Sequence, residues 1–132
     1  MLTTVLTLAL TLASTTAPEA GTAQLTFGGE TTVHPIADCA MTPTDGVPAR
    51  LLIEEVGLTL VLARADHVQT LSVIRDNTNW SATRMNIGGQ WTDRGRPAGP
   101  IVQEWGPLIR AEAVLAGSGK GAERQVSLVA RC

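Results

Sequence analysis

His34 and His67 are the only side chains here whose ordinary proton exchange falls near neutral pH, and each has a carboxylate close in sequence. In "HPIAD" His34 stands four residues before Asp38, and in "RADH" Asp66 precedes His67. A zinc site would need three or four such groups to converge, and nothing in the spacing makes them do so. On a strand His34 and Asp38 share a face, so a surface hydrogen bond is the expected relation, and no metal site is expected. Ser72, Ser81, Ser118 and Ser127 lie outside any GxSxG or paired-histidine context. Glu54 and Glu55 are adjacent, so on a strand they face opposite sides and cannot act as a carboxylate pair. Glu54 shares parity with Leu52, Leu58 and Leu60, which places it at a sheet end or beside an arginine. "GSGKG" (117–121) resembles a phosphate loop only superficially: Gly121 follows Lys120 where Ser or Thr is needed, and a strand pattern follows where a helix is needed. It reads as a hairpin turn. "NWS" (79–81) fits the glycosylation acceptor pattern, which has meaning only in a eukaryotic secretory pathway that the sequence does not establish. Neither catalytic residue nor cofactor is expected.

The tryptophans carry more. Trp80, Trp91 and Trp105 lie at or near expected loops, and Trp91 and Trp105 bracket "WTDRGRPAGPIVQEWGP" (91–107), which holds Arg94 and Arg96. Amphipathic rings beside guanidinium groups suit recognition of a protein or a glycan, so Trp91, Arg94, Arg96 and Trp105 are the candidate binding residues. The competing explanation is that the rings cover the ends of a small β-domain otherwise poor in large side chains.

The remaining chemistry is sulfur. Cys39 and Cys132 stand 93 positions apart, too far for a CxxC redox pair or a compact zinc motif. In an oxidising compartment they would pair; in a cytosolic protein they would be two unrelated buried thiols. The leader decides the expectation. "MLTTVLTLALTLASTTAPEAGTAQ" has an apolar, Thr-rich run from Leu2 to Ala13 followed by small residues, and the first positively charged side chain is Arg50. That is the outline of a secretory signal peptide (residues 1–23, with cleavage after Ala17, Ala20 or Ala23), although the usual basic n-region is missing. The run is short for a membrane span, so no stable membrane insertion is expected after cleavage. Read otherwise, it is a buried first strand.

The elements that must position these residues are strands. The 132 residues allow one domain, residues 24–132 after the leader, with 10 Lys plus Arg against 12 Asp plus Glu and no basic stripe to attract nucleic acid. Period-two alternation recurs and helical periodicity does not. "AQLTF" ends at Gly28-Gly29; "TTVHPIADCAM" contains Pro35, which marks an edge or a bulge. "ARLLIEEVGLTLVLARADH" reads as two strands or one bent strand about Gly57, followed by strands at "VQTLSVIRD" and "WSATRMNI". Residues 91–107 have no period, four Gly or Pro between Gly95 and Pro100, and the composition of an irregular surface loop. "LIRAEAVLA" and "AERQVSLVARC" form a hairpin whose second arm puts Val126, Leu128, Ala130 and Cys132 on one inward series, able to meet Cys39. The expected fold class is all-β, a small antiparallel β-sandwich or open barrel with one disulfide.

In order and in cysteine placement, the chain from Gln24 to Cys132 resembles mycobacterial lipoprotein antigens of the LpqH type. The segments that carry the likeness are "LTFGGETT", "ADCAM", "PARLLIEEVG", "LVLARADHVQTLSVIRDNTNWSATRMNIGGQ" and the hairpin from "LIRAEAVLAG" to "RQVSLVARC". The resemblance implies an extracytoplasmic β-domain with a Cys39–Cys132 disulfide, a cell-envelope location, a role as surface antigen or adhesion-related protein, and no enzymatic activity. That family carries a lipid-modified cysteine directly after the signal peptide; no cysteine precedes Cys39 here, and Cys39 lies too deep in the domain, so lipid anchoring is not implied. The expected function is therefore an exported, non-enzymatic binding or antigen-like domain, secreted, periplasmic or in the cell envelope, meeting a protein or glycan ligand at the cell surface. The alternative is a secreted inhibitor of a protease or other hydrolase, presenting the 91–107 loop.

Overall fold

In the computed structural model, residues 17–94, 99–118 and 122–132 are described. Eleven strands form one antiparallel sheet, with no helix among the described residues. They are β1 (Thr22–Phe27), β2 (Glu30–Pro35), β3 (Asp38–Ala40), β4 (Ala49–Glu55), β5 (Leu58–Ala65), β6 (Val68–Arg75), β7 (Thr78–Ile87), β8 (Gln90–Arg94), β9 (Val102–Trp105), β10 (Ile109–Gly117) and β11 (Glu123–Arg131). The main path runs β2-β1-β11-β10-β7-β6-β5-β4-β3, with β8 added to β7 and β9 to β10.

The two ends of that path belong to one stretch of chain. Ile36 N–H donates to Gly21 O beside β1, and Ala37 N–H donates to Leu52 O on β4, so the backbone changes partner between consecutive residues. Pro35 stands where the switch happens, because it lacks the N–H that would continue the ladder to β1. The sheet is thereby curled into an open barrel, the second of the two expected architectures. β4 and β5 are separate strands joined by Val56-Gly57, and Gly57 takes the left-handed backbone (φ 82°) that this tight turn needs.

Alternation fills the interior. Ala23, Leu25 and Phe27 of β1, Leu51 and Ile53 of β4, Leu60 and Leu62 of β5, and Leu71 and Val73 of β6 are buried, as are Val126, Leu128 and Ala130 of β11. If the expected leader were cleaved after Ala23, the first two residues of β1 would be lost, one of them fully buried, whereas cleavage after Ala17 would leave the strand whole. Residues 1–16 of the expected leader lie outside the described residues.

Cys39 and Cys132 are bonded, with Cα atoms 6.3 Å apart. The bond ties β3, the last strand of the path, to the end of β11. It sits at the barrel rim rather than in the interior: Cys39 is half-buried and Cys132 exposed, because β11 ends one residue earlier and its last residue has passed the edge of the core.

The 91–107 segment is corrected. Its described residues, 91–94 and 99–107, are not simply an irregular surface loop: they contribute β8 and β9, and Ile101 and Val102 are buried in the core. The Gln69 side-chain oxygen accepts from the N–H groups of both Ile101 (2.9 Å) and Val102 (3.1 Å), while Ile101 C=O accepts from Glu112 N–H. Strands β7 and β10 pair only through Ser81 and Trp80 and then diverge; β8 extends one, β9 the other, and Ile101 plugs the space between. A register shift at Arg110/Ala111 marks the bend that lets β9 reach it.

Candidate functional site

The two candidate tryptophans stand on different strands, Trp91 on β8 and Trp105 on β9. Trp105 is half-buried against the core and donates its indole N–H to Met41 O at 2.9 Å, so it holds the β3–β4 connection rather than a ligand. Trp80 is corrected too: it belongs to the inward series of β7, buried edge-on against Phe27 (centroids 5.7 Å apart), with the Arg124 guanidinium over its face. Thr78, Trp80 and Ala82 share that inward parity, a signal the sequence contained but the neighbouring turn obscured. Arg94 ends β8 opposite Thr83, and Arg96 lies outside the described residues.

Of the three tryptophans Trp91 is the exposed one, at 40 %. It stands on β8 opposite Asn86, one face under Arg84, whose guanidinium carbon is 5.0 Å from the ring centroid and whose Nε donates to Asp93 at 3.0 Å. Cation–π stacking and the ion pair fix the arginine, so the ring is presented at low side-chain entropy. On the opposite face of the same hairpin, Met85 (41 % exposed) and Ile87 (63 %) line a hollow of about 320 Å³ with Thr83, Thr92 and Asp93. The rungs Asn86–Trp91 and Ile87–Gln90 extend past β6, whose register ends at Val68–Met85. The tip of this arm therefore offers both faces to solvent, one apolar and one aromatic with polar flanks. Sequence reading found Trp91 here but missed Arg84, Met85 and Ile87, which sit within an ordinary strand pattern.

A second cluster lies across the barrel seam. Glu30, Thr32 and His34 stand opposite Phe27, Leu25 and Ala23, so they face inward with those buried residues. Across the seam come Glu55 from the end of β4 and Arg75 from the end of β6. His34 Nδ1 lies 2.5 Å from Glu55 Oε1 and His34 Nε2 lies 2.6 Å from Thr32 Oγ1, while Arg75 Nη2 donates to Glu30 Oε1 at 3.2 Å. The expected His34–Asp38 bond is not formed: the strand breaks between them at the partner switch, and Asp38 instead accepts from Arg50 at 3.0 Å. Thr32, His34, Glu55, Arg75, Asp76, Leu25, Val56 and Leu58 surround a cleft of about 530 Å³. Among the described residues no three His, Cys, Asp or Glu are grouped to hold a metal ion, and no helix is long and apolar enough to cross a membrane.

Comparison with known protein families, curated proteins and solved structures finds no match.

Proposed function

We propose that this protein is an exported binding domain of the cell envelope or its surroundings, kin to the LpqH-type antigens, which engages a surface protein or glycan through the β7–β8 arm. The observation that carries the reading is the exposure of Trp91, Met85 and Ile87 together on a hairpin tip extending past its neighbouring strand. Large apolar side chains cost solubility, and their grouping on a braced arm suits recognition. The Cys39–Cys132 bond supports export, since such bonds persist in oxidising compartments. The inhibitor reading has less physical support, because Ile101 and Val102, at the middle of its presumed inhibitory loop, are already buried within the protein's own core.

The test follows the full chain in its own cell. Fractionation after thiol alkylation is expected to find oxidised protein outside the cytosol. Isolated envelope material should retain wild-type protein and release a Trp91→Ala, Met85→Ser, Ile87→Ser variant of equal stability. Reduced protein in the cytosol, or undiminished retention of the variant, overturns the proposal.

A further inference from the structure

We infer that the seam cleft is a nucleophilic acyl-transfer site, in which Thr32 attacks small uncharged or cationic carboxylic esters with His34 as general base. Glu55 offers a carboxylate at 2.5 Å from His34 Nδ1, so that nitrogen carries the proton and donates. In the neutral ring Nε2 is then left with its lone pair, directed at the Thr32 hydroxyl 2.6 Å away. Hydroxyl, imidazole and carboxylate thus follow one another in the order that activates an oxygen nucleophile, with the base oriented by a third group. The imidazole is held (its side chain is 15 % exposed) while Thr32 is exposed to the cleft. This site is independent of the β7–β8 arm.

In the step, Thr32 Oγ1 bonds to the ester carbonyl carbon as its proton passes to His34 Nε2. The carbon–oxygen bond to the alcohol then breaks, and the leaving alkoxide takes that proton. Water, deprotonated by the same nitrogen, adds to the acyl carbon and releases a carboxylic acid and free Thr32. Charge selects the substrate class. Glu55 and Asp76 line the cleft with one guanidinium, Arg75, which is already bonded to Glu30, so carboxylates are in excess and an anionic substrate is repelled. Leu25 and Leu58 supply apolar walls for a short acyl group.

The folded, oxidised full chain is treated with an uncharged fluorophosphonate, which forms a P–O bond to an activated hydroxyl and expels fluoride, and adducts are mapped by mass spectrometry. One adduct on Thr32 is expected, absent in Thr32→Val and retained in Thr32→Ser. His34→Gln should slow labelling by roughly 10²-fold or more. Glu55→Gln should lower the maximal labelling rate while leaving the reagent concentration for half-saturation unchanged, a split that loss of a merely structural bond would not produce. Circular dichroism and the intact disulfide confirm that each variant is folded. No adduct on wild-type Thr32, or equal labelling of the His34→Gln protein, refutes the assignment.

Discussion

Ile101 gives the sharpest distinction between a segment displayed at the surface and one built into the barrel. Its side chain is 0 % exposed, and its N–H and C=O are both bonded, to Gln69 and Glu112. Ile101→Ala deletes three carbons, about 2.4 kcal/mol at roughly 0.8 kcal/mol per buried methylene. The surrounding strands are tied by their ladders and cannot close the gap fully, so the cavity term brings the expected loss to about 2–5 kcal/mol. For a domain of marginal stability that is a large fraction of the total. Guanidinium unfolding of the oxidised protein should show a lower midpoint with an unchanged slope, and thermal unfolding a fall of roughly 10 °C or more. Val33→Ala on β2, at a residue 62 % exposed, is the control and should stay within about 0.5 kcal/mol of wild type. If Ile101→Ala matches that control, the segment does not plug the barrel, and the case against a displayed loop collapses.

Other consequences can be checked in the same way. Reducing the Cys39–Cys132 bond, or replacing both residues with Ser, should cost up to about 4–5 kcal/mol on the chain-entropy view of a 93-residue separation; because Cys132 is exposed, a mild reductant should open the bond in the folded protein, as free-thiol titration would reveal. Gly117→Ala should destabilise by about 1–3 kcal/mol and shift Trp fluorescence, since its Cβ would lie 2.8 Å from Trp80 Cζ3. Asn77→Gly should stabilise the fold by a few tenths of a kcal/mol, read as a higher denaturation midpoint, because Asp76 and Asn77 both hold positive φ (50° and 65°) in the β6–β7 turn, where Gly is freer.

The strands were legible because each needs only its own parity to announce itself. Leu51 and Ile53, Leu60 and Leu62, and Val126, Leu128 and Ala130 alternate with outward residues, and the hairpins between them are fixed by Gly57, Asp76-Asn77 and Gly88-Gly89. The joining of Cys39 to Cys132 was legible, with Cys132 continuing the Val126, Leu128 and Ala130 series, but Val33, Ala37 and Met41, expected to share an inward series with Cys39, are exposed instead, and the bond lies at the rim. Strands β8 and β9 were hidden, because Gly95, Pro97, Gly99 and Pro100 break the pattern between them and neither is long enough to establish a period. What buries Ile101 is the divergence of β7 from β10, a property of the assembled sheet. The seam cluster was illegible for a related reason. Thr32 and His34 are two residues apart, but Glu55 joins them from 21 residues beyond His34, and only curling of the sheet closes that distance.

The polar inward face of β2 explains both why the barrel stays open and why chemistry collects there. A barrel closes when neighbouring strands present matching apolar series and pair along their full length. Strand β1 has such a series in Ala23, Leu25 and Phe27, but β2 places His34, Thr32 and Glu30 opposite them. Burying those groups against β4 and β5 would require a partner for each, and each bond would have to repay the loss of water. Glu55 and Arg75 supply partners by reaching across from the ends of β4 and β6, so the seam is spanned by side chains and no backbone ladder forms between β2 and β4. Exchanging Thr32 and His34 together for Val and Leu should then draw β2 toward β4, shrink the cleft, and raise stability while abolishing any reactivity at Thr32. Slowed amide exchange in β2, read together with the denaturation midpoint, would report that closure. A double variant that is less stable than wild type, with β2 exchanging faster, would show instead that the polar bridges hold the seam together.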